Sequence, residues 1–459
     1  MSKDLDILIM AAGLGTRMKS NLAKVLHRLD GRPLINHVCE TSLTLKPNSI
    51  NVVVGHQAED VKQAVIAEFG EGEFAFPVQK QMLGTGDAVN SARKLLTNRE
   101  STLLVLSGDV PMISSETLKA LIAKHRRSKA DCTILTVELE NPTGYGRVIR
   151  EGSEFSRIVE HKDANEEEKT CREINSGIYC FDTKKLYAAL KKVGNTNAQG
   201  EYYLTDVPTI LNAKGDKIAL FLHADEREIE GINDRRQLAA METELRSRTI
   251  TKLMLESGVS FIDPSSAYIS AKAKIGRDTV ISQNVTIEGK TVIGENCVVR
   301  PGVRIVNSIV GKNVEVKDNS FITDSTVGNG CDVGPMAHLR GKAVMEDGAK
   351  VGNFVELKKT KLGKGSKASH LTYLGDATIG EKTNIGAGTI TCNYDGVNKH
   401  ATIIGAGVKI GSDTMLVAPI KVGDGAVTGA GSVVTKDIKP YKLAVGAPAR
   451  SIKSLDEKQ

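Results

Sequence analysis

Four short stretches of this 459-residue sequence set reactive side chains at spacings that chemistry can use. The first, Ala11-Ala12-Gly13-Leu14-Gly15-Thr16-Arg17-Met18, follows directly on an apolar run that reads as a strand. Glycines let backbone amides approach an anion closely, and N–H groups at a helix start bind phosphate. The P-loop pattern GxxxxGK[ST] is absent, and Met18 stands where the third glycine of GxGxxG belongs. A bare Gly-x-Gly serves equally well as a turn. Arg17 and the nearby Lys24 tip it toward phosphate, because a guanidinium offers a planar fork and an ammonium a mobile point charge. The second stretch, Leu106-Ser107-Gly108-Asp109-Val110-Pro111, places an acid at the C-terminal end of a buried strand, the ligand side of open α/β sheets. An isolated aspartate there would cap a turn. Beside a phosphate loop it is the carboxylate that Mg²⁺ bound to phosphates requires, so Asp109 is the expected metal ligand. The third, QKQMLGTG at 79–86, puts Gly84-Thr85 at a helix start, to meet a base edge or phosphate or simply to begin the helix. The fourth is Ser369-His370-Leu371-Thr372-Tyr373. A neutral imidazole takes a proton from an attacking amine near neutral pH, so His370 is a candidate general base.

The elements that must position these residues differ between the two halves. In the first half, strand-like segments LDILIMA, NVVVG, STLLVLSGD, CTILTVE and GIYCFD alternate with helical stretches near 58–69, 86–96 and 114–127. That alternation argues for a mostly parallel sheet covered by helices. From 234 to 256 there is no Gly or Pro, and Leu238, Met241, Leu245 and Leu253 recur at helical spacing, which predicts one long linker helix ending at Gly258. From about 275 to 437 the sequence repeats every six residues, as in IGRDTV, IGENCV, VGNGCD and VGDGAV. An aliphatic residue comes first, Gly is frequent second, and a small residue is frequent fifth. Such a period means stacked coils, none of which buries its apolar face alone.

The fourth slot of the repeat is often Asn, Asp or Gly: Asp278, Asn284, Asn296, Gly302, Asn313, Asn319, Gly330, Gly365, Asp413, Gly425 and Gly431. These residues tolerate left-handed backbone, so each unit reads as a short strand and a tight corner, three units to a coil and roughly nine coils in all. His370, Arg340 and Lys358 fall in outward slots. After IGAGTI the phase jumps by about thirteen residues across TCNYDGVNKHAT, which predicts an extruded loop carrying Asn393 and Tyr394. The expected organisation is a first domain over 1–233, a linker helix over 234–257 and a coil domain over 258–459.

Composition narrows the function classes. Charged residues make up 25% and the net charge is +6, with both signs interspersed and no Lys/Arg run interleaved with aromatics, which argues against nucleic acid and suits anionic small substrates. Seven scattered cysteines without a CxxC pair, and no signal-peptide layout at the start, predict reduced thiols and a cytoplasmic protein. Cys297 and Cys331 occupy fifth slots and are expected in the core. No apolar run approaches the length of a membrane span.

These stretches also carry resemblances. The repeat resembles the hexapeptide-repeat acyltransferases, which implies a left-handed parallel β-helix and a homotrimer. The first half is similar to the sugar nucleotidyltransferases, which carry G-x-G-T-R and then Pro-Lys on a Rossmann-like sheet; here the pair reads Ala23-Lys24. PTGYGR, IVEHKDA, NAQGEYYLTD, VGNFVELKK, LGKGSKASHLTYLGDA and IGAGTITCNYDG together resemble the family of bifunctional N-acetylglucosamine-1-phosphate uridylyltransferases and glucosamine-1-phosphate N-acetyltransferases over nearly the whole length.

That resemblance implies Mg²⁺ as cofactor, held by Asp109 and Asn233, with UTP and acetyl-CoA as co-substrates. It implies that Met10, Ala11, Ala12, Gly13, Gln79, Gly84 and Thr85 hold the uridine nucleotide with Ser107 and Gly108. Gly146, Glu160 and Asn175 would hold the sugar, and Arg17 and Lys24 would serve uridylyl transfer. In the coils it assigns Arg340, Lys358, Tyr373 and Asn384 to the sugar phosphate, and Ala387, Asn393, Tyr394, Ser412 and Ala430 to acetyl-CoA. Ser107 stands where some relatives have Tyr, and Ala447 where some have Arg, with Arg450 close by. The implied product is UDP-N-acetylglucosamine, a cell-envelope precursor. The alternative is a sugar-phosphate nucleotidyltransferase whose coils only hold a trimer together.

Overall fold

The computed structural model describes residues 4–454. Two compact units divide between Glu242 and Thr243. In the first, β1 (Leu5–Met10), β2 (Ser49–Val53), β3 (Thr102–Ser107), β4 (Cys132–Glu138), β5 (Glu173–Asp182) and β6 (Ile218–His223) form one sheet in the order β6-β4-β5-β3-β1-β2. Strand β1 pairs in parallel with both β2 and β3. β5 runs antiparallel to β3 and to β4, so the sheet is mixed at its centre. Because chain order reverses on either side of β1, the crevice beyond the ends of β1 and β3 is the ligand position of such a sheet. Their ends are level, with Met10 paired to Ser107.

Helix α1 (Ala58–Phe69) follows β2, and α2 (Thr85–Ser91) follows the 79–84 segment. The helix expected over 86–96 is broken at Ala92, beyond which Arg93–Leu96 forms a separate turn. Helix α3 spans Arg235–Ser257. The division between the units falls inside it, so it is no free-standing spacer. Its Ile250 and Leu253 belong to the apolar core of the coils. Among the described residues, no helix is long and apolar enough to cross a membrane.

The second unit is a parallel β-helix. Successive coils pair in parallel at offsets of 17 or 18 residues, as in Val298 with Glu315 and Tyr268 with Thr286. One face alone is a nine-stranded parallel sheet. All eleven fourth-slot residues named above have positive φ, between 54° and 70°. First-slot residues such as Ile281, Ile287, Val299, Ile305 and Val316 are fully buried and stack into a continuous core.

The Gly-second, small-fifth pattern has a direct cause. A Cβ on Gly294 would lie 2.6 Å from the Gly311 carbonyl oxygen, and one on Gly276 would lie 2.7 Å from the Gly294 carbonyl carbon. The small side chains then bond to those carbonyls: the Thr279 hydroxyl donates to Gly294 at 2.9 Å and the Ser366 hydroxyl to Gly380 at 2.6 Å. The Cys297 thiol does the same to Gly311 at 3.1 Å. Burial pushes the Cys331 thiol up to about 11, which suits an inert core residue.

The loop is shorter than the repeat phase implied. Ala377 pairs with Thr402, an offset of 25 residues, seven more than the 18 of an ordinary coil. Thr391 and Thr402, which break the sequence pattern, are both buried inside regular strands, so the expected thirteen-residue insertion is about half that length.

Because Gly294 meets backbone rather than a flexible side chain, Gly294→Ala should cost about 1–3 kcal/mol, the range for overpacking a close-packed interior. The urea midpoint of the full chain reads this directly.

Candidate active sites

In the first unit the phosphate loop leaves β1 and enters a short 3-10 turn, Thr16–Met18, through Gly15 at φ +61°. A Cβ on Gly15 would lie 2.5 Å from the Lys24 Cβ, so the glycine lets the Lys24 stem lie against the loop. The Lys24 ammonium pairs with the Asp109 carboxylate and lies 3.1 Å from the Asn233 side-chain oxygen. Arg17 donates to that same oxygen at 2.8 Å. Four residues drawn from distant parts of the sequence therefore converge. Both Lys24 and Asp109 keep only 17% side-chain exposure, so the pair is shielded but reachable.

Two cavities meet at this cluster. One, about 400 Å³, is lined by Met10 to Leu14, Lys24, Gln79, Gly84, Thr85, Ser107 and Asp109. The other, about 320 Å³, shares Met10, Thr85, Ser107 and Asp109, and adds Gly146, Glu160, Asn175 and Asn233. Every first-unit site residue expected from the sequence lies at this junction or beside it. Gly108 donates its N–H to the Met10 carbonyl at 2.9 Å, and Arg17 joins through Asn233.

The walls are rigid. The Gln79 amide donates to the Gly84 carbonyl at 3.1 Å and to Asp87 at 2.9 Å. Gly84 sits at φ +115°, where a Cβ would lie 2.6 Å from the Tyr202 carbonyl oxygen. Thr85 accepts the Leu204 N–H at 3.0 Å, and Asn175 donates its N–H to Gly146 at 2.9 Å. Thr205, absent from the expected set, donates its hydroxyl to Glu160 at 3.1 Å. Its only sequence signal was its place in the NAQGEYYLTD stretch. Burial, then the nearby Asp163 and Asp206, raises the Glu160 pKa.

A cation fits between Asp109 and Asn233, because two oxygens of the kind Mg²⁺ prefers already converge on the Lys24 ammonium. One carboxylate and one amide are a sparse set, and that suits an ion which keeps water and phosphate oxygens in its shell.

In the coils, β7 (Lys350–Lys358) and β8 (Lys367–Gly375) pair so that Asn353 lies beside His370, Glu356 beside Tyr373, and Lys358 beside Gly375. His370 Nδ1 is 2.7 Å from the Asn353 side-chain oxygen. That oxygen only accepts, so Nδ1 bears a proton, and in the neutral ring the lone pair lies on Nε2. Asn353 escaped the sequence reading because its link to His370 exists only through coil register. Lys367 pairs with Asn384, Asn384 with Lys409, and Lys409 with Val427. The same offsets hold beyond the turn, where Tyr373 pairs with Ile390, Ile390 with Met415 and Met415 with Val433, so His370, Ala387, Ser412 and Ala430 between them form one column. Val445 stacks on Gly429 and pairs with Arg450, so the last hairpin brings Arg450 to the far end of that column. Ala447 is exposed in the turn of the hairpin.

Beyond the corner at Leu371 a basic cluster gathers. Arg340 pairs with Lys358 in register and binds Glu356 at 2.6 Å. Lys358 is 3.2 Å from Asp376, which also accepts from Asn393 at 2.6 Å. The Tyr373 ring passes over Gly375, close to the Asn393 amide. Lys399, on the extruded loop and not among the expected residues, lies beside Lys358, and that neighbouring ammonium lowers the Lys399 pKa. Asp395 braces the loop by accepting from Val397, Asn398 and His400. Within one chain, Asn393 thus joins the basic cluster rather than the His370 column. Tyr394 is exposed and donates to Gly396 at 2.6 Å. Asn384 stands on the face before the corner, apart from Arg340, Lys358 and Tyr373.

A sugar-nucleotide type of fold with paired cavities, joined to a β-helix carrying a histidine and a basic cluster, defines a two-part transferase. Comparisons agree with that class. The nucleotidyl transferase family matches residues 7–226, the GMPPB C-terminal domain 267–362, and the bacterial transferase hexapeptide (six repeats) 401–436. The bifunctional protein GlmU of Syntrophomonas wolfei is 47% identical over 443 residues, covering 96% of this chain and 97% of that protein. The GlmU proteins of Heliobacterium modesticaldum and Pelobacter propionicus are each 48% identical, over 97% and 96% of this chain and 96% of each relative. The chain belongs to the bifunctional GlmU family.

Because its folded pKa is raised, ionised Glu160 opposes folding at neutral pH, and that penalty fades as pH falls toward the ordinary glutamate range. Glu160→Gln should therefore raise the urea midpoint at pH 7.5 relative to the parent, with the gain shrinking toward pH 4.5.

Proposed function

We propose that the residues above perform the family's two reactions, acetyl transfer from acetyl-CoA to glucosamine 1-phosphate and uridylyl transfer from UTP to N-acetylglucosamine 1-phosphate. The chain is a bifunctional transferase of UDP-N-acetylglucosamine synthesis. The observation that carries the residue-level reading is the His370–Asn353 bond at the head of the Ala387–Ser412–Ala430 column, with a cluster of ammonium and guanidinium groups across the corner. A coil that only held copies together would need neither.

In the second unit, Lys358, Lys399 and Arg340 hold the phosphate of the amino sugar, and Tyr373 lies alongside. His370 Nε2 removes a proton from the amine as nitrogen attacks the thioester carbonyl, while the Asn353 bond keeps the tautomer that accepts it. The Ser412 hydroxyl lies two coils along the same column, a donor for the developing oxyanion. The column then leads the pantetheine chain toward Arg450, whose charge replaces the one missing at Ala447.

In the first unit, the larger cavity takes the uridine nucleotide between the 10–13 loop and Gln79, Gly84 and Thr85. The second takes the sugar against Gly146, Glu160 and Asn175. The shared wall at Met10, Thr85, Ser107 and Asp109 is where the two phosphates meet. Mg²⁺ bound by Asp109 and Asn233 supplies charge neutralisation between the phosphates when present. Lys24, released from Asp109, and Arg17 turn to the triphosphate. A phosphate oxygen of the sugar attacks the α-phosphorus of UTP and pyrophosphate leaves, with catalysis resting on positioning and charge. Ser107 lines both cavities, so its small side chain leaves the junction open.

The coils work as a homotrimer in this reading. Coil register places Asn284, Gly302, Asn319, Met336, Phe354, Leu371 and Gly388 on one corner. Met336, Phe354 and Leu371 occupy it at φ 53°, 56° and 49°, a strained conformation for bulky residues, and are 47%, 54% and 62% exposed. Packing against a second copy explains both, and it brings that copy beside His370.

His370→Ala should lower acetyl transfer roughly 10²–10⁴-fold, a general-base effect, and leave uridylyl transfer intact. Asp109→Ala should do the reverse; coupled assays on one preparation compare the two. Phe354→Asp, tolerated by the left-handed backbone, should shift sedimentation from trimer to smaller species and remove acetyl transfer alone. An unchanged trimer would place the interface elsewhere.

A further inference from the structure

We propose that Gln57 is a positioning residue for uridylyl transfer, substituting in this chain for the proline that the nucleotidyltransferase motif places before its lysine. Ala23 stands there, and unlike proline it carries an N–H. The residue is buried, so that N–H needs a partner. Gln57 supplies it: its side-chain oxygen accepts the Ala23 N–H at 2.6 Å. Its amide nitrogen donates to the Asn21 carbonyl at 3.0 Å. One planar amide thus grips the segment 21–23 at two points, immediately before Lys24 enters its 3-10 turn Lys24–Leu26.

The grip has a rigid base. Gln57 precedes helix α1, and its carbonyl accepts the Val61 N–H at 3.1 Å. The neighbouring His56 N–H donates to Ala12 in the phosphate loop at 3.2 Å. The turn at 55–57 therefore ties together both segments that face the phosphates. Gln57 holds this place at φ +51°, where a glycine would sit without strain. A long side chain in a left-handed position is explained by what its amide does.

Ala23 itself has φ −54°, within the range that a proline ring imposes. Motif proline and Gln57 clamp are two ways to the same backbone. The first presets φ covalently; the second holds it by hydrogen bonds from 34 residues away. Either one limits where the Lys24 ammonium can reach. This inference rests on the proposed role of Lys24.

The test uses the full-length enzyme, in which acetyl transfer reports on the integrity of the same polypeptide. Gln57→Gly removes the amide and relieves the left-handed strain, so it isolates the clamp from backbone cost. We expect kcat for uridylyl transfer to fall about tenfold with KM for UTP changed less than threefold, and acetyl transfer to be unchanged. Ala23→Pro added to Gln57→Gly should recover most of the lost kcat. Lys24→Ala serves as the reference. If it leaves uridylyl transfer intact, the role of Lys24 falls. If it removes activity while Gln57→Gly does not, the clamp alone falls. A Gln57→Gly loss accompanied by an equal loss of acetyl transfer, or one that Ala23→Pro does not restore, also overturns the proposal.

Discussion

Parallel backbone pairing between successive coils is the constraint on which the second half of this molecule depends. Once each coil hydrogen-bonds to the next at a fixed offset, residues 17 or 18 apart become neighbours. Every other requirement follows from that spacing. Glycine fills the second slot because a Cβ there would strike the next coil's backbone. A hydroxyl or thiol fills the fifth slot because a carbonyl waits beside it. The same pairing turns scattered residues into a column, and the proposed acetyl-transfer site is one such column bounded by a basic corner.

The first unit solves a different problem, that of holding like charges together. Lys24 and Arg17 would repel one another if left unpaired. Here Lys24 is drawn to the oxygens of Asp109 and Asn233, and Arg17 to the same Asn233 oxygen. These oxygens keep two positive side chains in one small space. Glu160 sits in a buried place that raises its pKa, so its charge works against stability at neutral pH. The second unit stores charge similarly, with Asp376 and Glu356 holding Lys358 and Arg340.

Much of the fold was legible because local chemistry dictates it. The six-residue period, the left-handed corners and the helix Ala58–Phe69 follow from residue types within a few positions of each other. The errors arose where distant contacts decide. The loop looked twice its true length because Thr391 and Thr402 do not match the repeat, yet both are buried in its strands. The helix expected over 86–96 breaks at Ala92, and nothing local marks the break. Candidate site residues were legible where they sit in dense motifs, as with Asp109, which lines both cavities of the first unit, and His370. Asn353, Thr205, Lys399 and Gln57 were not, because each acts on a partner that only folding brings near.

What the sequence by itself determined was the pair of architectures and the family to which they belong. Periodicity, glycine placement and clustered motifs are local properties, and local properties survive in a one-dimensional string. What only the tertiary structure decided was which residues touch: that Asn353 sets the His370 tautomer, that Lys399 joins Lys358, and that the amide of Gln57 supports the segment before Lys24. Hydrogen-bond partners are fixed by strand register and by loops closing over long separations, and neither is written in any single stretch of residues.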